Sequence, residues 1–293
     1  MDKRNYLTVV PTILAAVSGA VYLGSKAIPA TTIPTTGPVL SAVAAFATPP
    51  SGSASSAVIG ASATAVVARA VAPSLHANDL AVHARTALEA LASNVGQLSH
   101  PRALEDAFES YFAFKAAHPE QVRKPFLYFV DYGLPNTTPR GYVFNMESLS
   151  VVDGPFMVAA GRGSAPNSQG ISTRFSNAFG AATTSLGLYV AQEIYSFTGH
   201  TGGQPYNAVG LRLAGVSSGF NDNARARGVV AHGAPYVTAT RAGRSEGCPA
   251  MEPARAASLL PKLAEGGLVF LFAPNNDWMT RDPWIASASS AEN

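Results

Sequence analysis

The hydrophobic pattern divides the chain into stretches of different character. From Tyr6 to Gly24 the residues are almost uniformly apolar, behind Lys3 and Arg4 and closed by Lys26. A basic start and an apolar run match an export signal. At about 19 residues the run is also long enough to cross a bilayer as a helix. The small residues at Val17–Ala20 and at Ile28–Ala30 both suit cleavage, so residues 1–28 read as either a signal peptide or an N-terminal membrane anchor. Residues 29–75 are rich in Ala, Pro, Ser and Thr and nearly uncharged. Such a stretch offers too little to bury against its ordering entropy, and it reads as a flexible linker.

Helical periodicity begins next. Leu80, Ala84, Leu88 and Leu91 recur at helix spacing over 78–92, and Leu104, Ala107, Phe108, Tyr111 and Phe114 do so over 99–117. Pro101 suits a first turn, and His118-Pro119 stops the second helix. Residues 76–120 therefore read as a small helical region. From residue 121 the period changes to that of strands: 125–132, 140–147, 149–160, 185–190, 209–216, 228–231 and 267–272, separated by glycine-rich turns. One amphipathic helix, 252–265, interrupts them. The expectation is a mainly β sandwich or barrel-like domain over 121–293.

Composition narrows the function classes. A formal charge of +2 over 293 residues, without a Lys/Arg cluster, argues against a nucleic-acid partner. A single cysteine excludes an intramolecular disulfide and any CxxC zinc site, and no His/Asp/Glu spacing suggests a metal or other cofactor. Neither a phosphate-binding G-x-x-x-x-G-K-[ST] loop nor a G-x-S-x-G serine elbow is present.

The remaining candidate chemistry lies in 228–250, GVVAHGAPYVTATRAGRSEGCPA. A strand delivers His232 at its end, and a glycine-rich loop carries Cys248 sixteen positions later. A lone cysteine is more often a small buried residue than a nucleophile. Its company here points the other way. A thiol of pKa about 8.5 falls to roughly 3.5–7.5 beside a cation such as protonated histidine, which predicts a thiolate below pH ~8. The amides of Gly247 and Cys248 are candidate oxyanion donors, each worth about 2.7–4 kcal/mol. Asn221, Asp222 and Asn223 read as a turn and helix cap.

His232-Gly233 followed by Ser245-Glu246-Gly247-Cys248 resembles the His-Gly…Ser-His-Gly-Cys signature of L,D-transpeptidases. The branch described as a murein L,D-transpeptidase catalytic domain family is the closer match. It is echoed by Gly161–Ser164, Thr184–Gly187, Gly219–Ala224 and Gly243–Ala250. The resemblance covers 122–275 and leaves the helical region outside. It implies a β-sandwich catalytic domain and a ping-pong acyl transfer on peptidoglycan stem peptides in the periplasm or cell envelope. Cys248 would be the nucleophile, His232 its base, held by a backbone carbonyl, and Gly247 and Gly233 part of the catalytic loop. Arg244 and Ser245 would contact substrate. The broader signature has a histidine before Gly-Cys, which the closer branch also lacks; here that place holds Glu246, whose charge opposes a thiolate. Arg244 is the expected compensation, by pairing with Glu246 or by holding a substrate carboxylate. Three outcomes stay open: cross-linking with an amine acceptor, an L,D-carboxypeptidase or endopeptidase using water, and a non-catalytic wall-binding protein.

Overall fold

The computed structural model describes residues 77–285. The apolar N-terminal run and the linker lie outside the described residues. Among the described residues no helix is long and apolar enough to cross a membrane.

The two expected helices are present as α1 (Ala77–Leu91) and α2 (Ala103–Ala117). They precede a mainly β domain whose core is one eight-stranded mixed sheet. Its strands in chain order are β1 (Phe126–Asp131), β2 (Gly141–Asn145), β3 (Ser150–Phe156), β5 (Gly187–Thr201), β6 (Gln204–Gly215), β7 (Val230–Gly233), β9 (Ala250–Met251) and β10 (Leu268–Phe272). Two short strands, β4 (Ala160–Gly161) and β8 (Arg244–Ser245), pair in parallel as a separate small sheet. The large sheet runs β3-β2-β1-β10-β5-β6-β7-β9. The strand β10, LVFLF, is buried at every position, as expected of an unbroken apolar run in the middle of a covered sheet. Helix α3 (Ala224–Arg227) enters β7, helix α4 (Pro253–Leu263) follows β9, and helix α5 (Asn276–Arg281) follows β10.

The helical region shares the core of the sheet. Phe108 of α2 meets Phe144 of β2 edge-to-face, with centroids 5.5 Å apart and planes at 83°. Ser99, in the turn before α2, donates to the buried Asp131 carboxylate from both its amide (2.7 Å) and its hydroxyl (2.5 Å), while Gly133 N–H donates to the same group at 3.0 Å. Burial raises the Asp131 pKa, and those three hydrogen bonds pull it back down.

Three local features differ from the sequence expectation. Strands β5 and β6 extend far beyond 185–190 and 209–216 into one long hairpin, closed at Gly202-Gly203 with both φ values positive (56° and 78°). Two consecutive φ > 0 residues make the turn whose twist suits a two-residue hairpin, which Gly-Gly permits. The expansion expected near His200–Pro205 is the tip of this hairpin, where His200 pairs with Pro205. His232 lies inside β7 rather than at its end. Helix α5 has no strong sequence period; it is set by the Asn275 side chain, which accepts from Trp278 N–H at 3.0 Å, and by Trp278 inserted against Phe270 and Phe272.

Because the helices and the sheet share one apolar core, Phe108→Ala is expected to destabilise the whole unit by about 3–5 kcal/mol. Chemical denaturation followed by far-UV circular dichroism and by tryptophan fluorescence should give one coincident transition. Separate melting of the helices would contradict the shared core.

Candidate active site

His232 and Cys248 come together through the sheet edge. Strand β7 pairs in parallel with β9 at His232–Ala250 and Gly233–Met251, and His232 N–H donates to the Pro249 carbonyl at 3.1 Å. Cys248 lies two residues ahead of Ala250, and the N–H of Val230, two residues before His232, favours its thiolate. Side chains at positions 230 and 232 project to the same face of a strand.

His232 is 7% exposed. Its Nδ1 lies 3.1 Å from the Gly233 carbonyl oxygen. A carbonyl only accepts, so this contact is a hydrogen bond when Nδ1 carries the proton, which leaves Nε2 with a free lone pair. Phe197 of the long hairpin abuts the imidazole edge-to-face, centroids 5.6 Å apart at 76°. Opposite His232 in the β6 register is Gly210, where a Cβ would come within 2.7 Å of the Tyr195 ring. The bare position 210 thus leaves room for the Tyr195 ring, which lies 5.6 Å from that of Phe197. Arg212 covers the other side of Tyr195, 4.3 Å from its centroid.

The loop carrying Cys248 is closed by Ser245. Its hydroxyl donates to the Cys248 carbonyl (2.6 Å) and accepts the Gly247 N–H (3.1 Å). Ser245 is buried and its polar capacity is used within the loop. The Gly247 amide, expected as an oxyanion donor, is therefore already engaged, whereas the Cys248 N–H has no hydrogen bond among the described residues. Gly247 has φ 128°, and a Cβ there would stand 2.9 Å from the Thr183 carbonyl. Both conformation and space require glycine at that position.

The segments echoed in the sequence motif pack beside this loop. Arg162 N–H donates to the Ser245 carbonyl (2.7 Å), Gly161 N–H to the Thr184 hydroxyl (3.0 Å), and Thr184 N–H to the buried Ser164 hydroxyl (2.9 Å). Asn221 is a buried clasp, accepting from Ser217 N–H and donating to the Leu188 carbonyl, both at 2.9 Å. Asn223 precedes α3 without a side-chain cap bond and donates to the Asn177 carbonyl instead.

Charges around the sulfur are arranged differently from the sequence expectation. Glu246 pairs with Arg162, whose Nε reaches both carboxylate oxygens at 2.8 and 2.9 Å, and not with Arg244. Arg244 is exposed on β8. A second cation, Arg227, not marked by any sequence motif, favours the thiolate by its charge. Also unmarked was Arg140, fully buried, which donates to the Val158 and Leu134 carbonyls and to Asn136 and lies over the Tyr132 ring. Tyr132 in turn donates to the Ala159 carbonyl, and Ala159 N–H to Ala250 of β9, so Arg140 underpins the floor of the site. Burial pushes Arg140 down to about 10.

Burial raises the Cys248 thiol above its ordinary value, against the lowering effects of Val230 N–H and Arg227, with Glu246 adding to the rise. Burial also lowers His232. The two shifts run together: burial favours a neutral thiol and a neutral imidazole, against the thiolate expected from the sequence. The arrangement suits removal of the thiol proton by Nε2 during attack, when charge develops, rather than before it.

A family model described as the L,D-transpeptidase catalytic domain matches residues 97–272. The match takes in α2 as well as the sheet, further forward than the motifs alone reach. No curated protein sequence matches the chain. Solved structures that resemble it include an L,D-transpeptidase from Mycobacterium smegmatis, at 15% identity and TM-score 0.31, covering 51% of this chain and 59% of that one. Another is an L,D-transpeptidase from Xylanimonas cellulosilytica, at 15% identity and TM-score 0.30, covering 51% and 61%. The chain thus spans about three fifths of the length of these structures.

With the thiol raised, alkylation of Cys248 by iodoacetamide should still be accelerating above pH ~8.5, the ordinary thiol value. A rate already level near neutral pH would contradict the neutral resting pair.

Proposed function

The chain belongs to the L,D-transpeptidase catalytic domain family, and from that premise we propose that it is a cysteine acyltransferase acting on peptidoglycan stem peptides. The observation that carries this reading is the β7–β9 pairing, which sets His232, with Nδ1 held by a carbonyl, beside the loop of the chain's single cysteine.

In the first half-reaction His232 Nε2 takes the Cys248 proton as the sulfur attacks the carbonyl of the diaminopimelate residue that precedes terminal D-alanine. The carbonyl π pair moves to oxygen, where the Cys248 N–H is the available backbone donor. Collapse breaks the C–N bond, and the imidazolium returns its proton to the departing D-alanine amine. The product is a thioester on Cys248. In the second half-reaction an amine of another stem peptide attacks the thioester, His232 removes an amine proton, and the thiolate leaves and is reprotonated. The exposed Arg244 is offered to a carboxylate of the stem peptide, for which a guanidinium fork is suited. Gly233 supplies the carbonyl that fixes the histidine tautomer. This reading keeps the chemistry in the cell envelope, which the apolar segment behind Lys3 and Arg4 would serve.

Incubation with purified disaccharide-tetrapeptide, read by mass spectrometry, should yield cross-linked dimers and free D-alanine. Cys248→Ala should abolish both products, and His232→Ala should slow them by about 10²–10⁴-fold, each variant keeping the far-UV spectrum of the unaltered protein. Retained turnover in Cys248→Ala overturns the nucleophile. Trimmed tripeptide without dimers replaces the amine acceptor with water.

A further inference from the structure

Arg227 stands at the end of α3 and directs its guanidinium back across the chain. One terminal nitrogen donates to the Ser176 carbonyl (2.8 Å) and the Ser185 hydroxyl (3.3 Å). The other donates to the Ala181 and Thr183 carbonyls, both at 3.1 Å. All four contacts fall on one loop, 176–185, and the side chain is only partly buried. A surface arginine whose task is solubility does not spend four donors on one loop. What that loop does is visible on its far side. The Thr183 carbonyl, held by Arg227, is the atom that a Cβ at Gly247 would strike, and the Ala182 carbonyl accepts from Gly163 N–H and stands against Gly161. The 176–185 loop is therefore the wall on which the Gly247–Cys248 turn is seated.

We propose that Arg227 is the positioning residue of this site, fixing that wall through its carbonyls while presenting a cation to the Cys248 sulfur. The inference rests on the cysteine reading above and adds to it a residue that touches neither substrate nor the reacting carbonyl. The charge effect follows from the same placement: the Thr183 carbonyl lies between the guanidinium and Gly247, and the cation favours the thiolate that Glu246 of the cysteine's own loop opposes. Besides His232 and Glu246, the titratable groups on which the sulfur's charge acts are Tyr132, Tyr189, Tyr195, Tyr206 and Tyr236, each with its hydroxyl pKa raised mainly by burial and further by the sulfur's charge. Glu246 is already held by Arg162. Arg227 is thus the cation outside the cysteine's own loop whose charge favours the thiolate. Lysine would keep that charge but not the planar fork that reaches several carbonyls at once.

The test is the pH dependence of Cys248 alkylation, together with muropeptide kinetics, in the full chain and in Arg227→Gln and Arg227→Lys proteins first shown to be folded by thermal melt. Arg227→Gln should move the alkylation midpoint up by roughly one unit. At a fixed pH below the midpoint that lowers the rate about tenfold. Arg227→Lys should keep the midpoint of the unaltered protein while kcat falls and KM stays close to its original value. A merely structural arginine would leave the midpoint of a folded Arg227→Gln protein where it was, and that result overturns the inference. If Arg227→Gln does not fold, Arg227→Lys decides: unchanged kcat overturns the inference, and lowered kcat with a retained midpoint supports it. A thiol in the unaltered protein that never alkylates, or turnover that survives Cys248→Ala, overturns the cysteine reading itself and is told apart from failure at Arg227.

Discussion

The site depends on one hydrogen bond, His232 N–H to the Pro249 carbonyl, which ties a strand of the main sheet to the segment just after the cysteine. Without it the nucleophile loop would hang from β8 and α4 with nothing to set its distance from the imidazole. With it, His232 sits in a rigid element and the segment that carries Cys248 runs beside it, Cys248 lying two residues ahead of Ala250, the pairing partner of His232. Strands hold a side chain more firmly than loops do, because their backbone hydrogen bonds are satisfied along their length. The rest of the site supports this bond from three directions: Ser245 closes the loop, α4 packs on β7, and the long hairpin covers the imidazole through Phe197.

The same burial that builds the site sets its electrostatics. A sulfur and an imidazole taken out of water both favour their neutral forms. On the proposed reading, a site arranged this way holds no desolvated ion pair at rest. It relies on charge appearing only as the bond forms, next to groups already oriented toward it. Val230 N–H, the Cys248 N–H and Arg227 are fixed by the sheet edge, by the Gly247 turn and by the 176–185 loop, so none has to be reorganised during the step.

Much of this was legible in the sequence. The two helices, the β character after residue 121, and the pairing of His232 with a downstream cysteine all follow from period and motif, because each is a local signal repeated several times. The parts that were missed share a physical reason. Arg140 and Arg227 act by donating to backbone carbonyls, which carry no sequence label, so no spacing rule marks their partners. The hairpin was underestimated because its outer half, from Gln192 onward, is only partly buried and loses the strict alternation that identifies a strand, although Gly202-Gly203 was a turn signal in plain view. The Gly247 amide was assigned to the oxyanion because glycine before a nucleophile suggests it; Ser245, two residues earlier, captures that amide instead.

The departure at Glu246 becomes intelligible once the small parallel sheet is considered. Pairing β4 with β8 brings the Gly161–Arg162 backbone alongside Ser245, and the Arg162 side chain then lies within reach of both Glu246 oxygens. An exposed ion pair of this kind adds little stability, on the order of 0–1 kcal/mol. Its consequence is electrostatic: it offsets a carboxylate two residues from the sulfur, whose own charge would otherwise oppose the thiolate most strongly at the moment of attack. Glu246 and Arg162 of the Gly161–Ser164 motif are therefore one feature, read in two places along the chain. It leaves Arg244, on the same strand as Ser245 but exposed, uncommitted to Glu246.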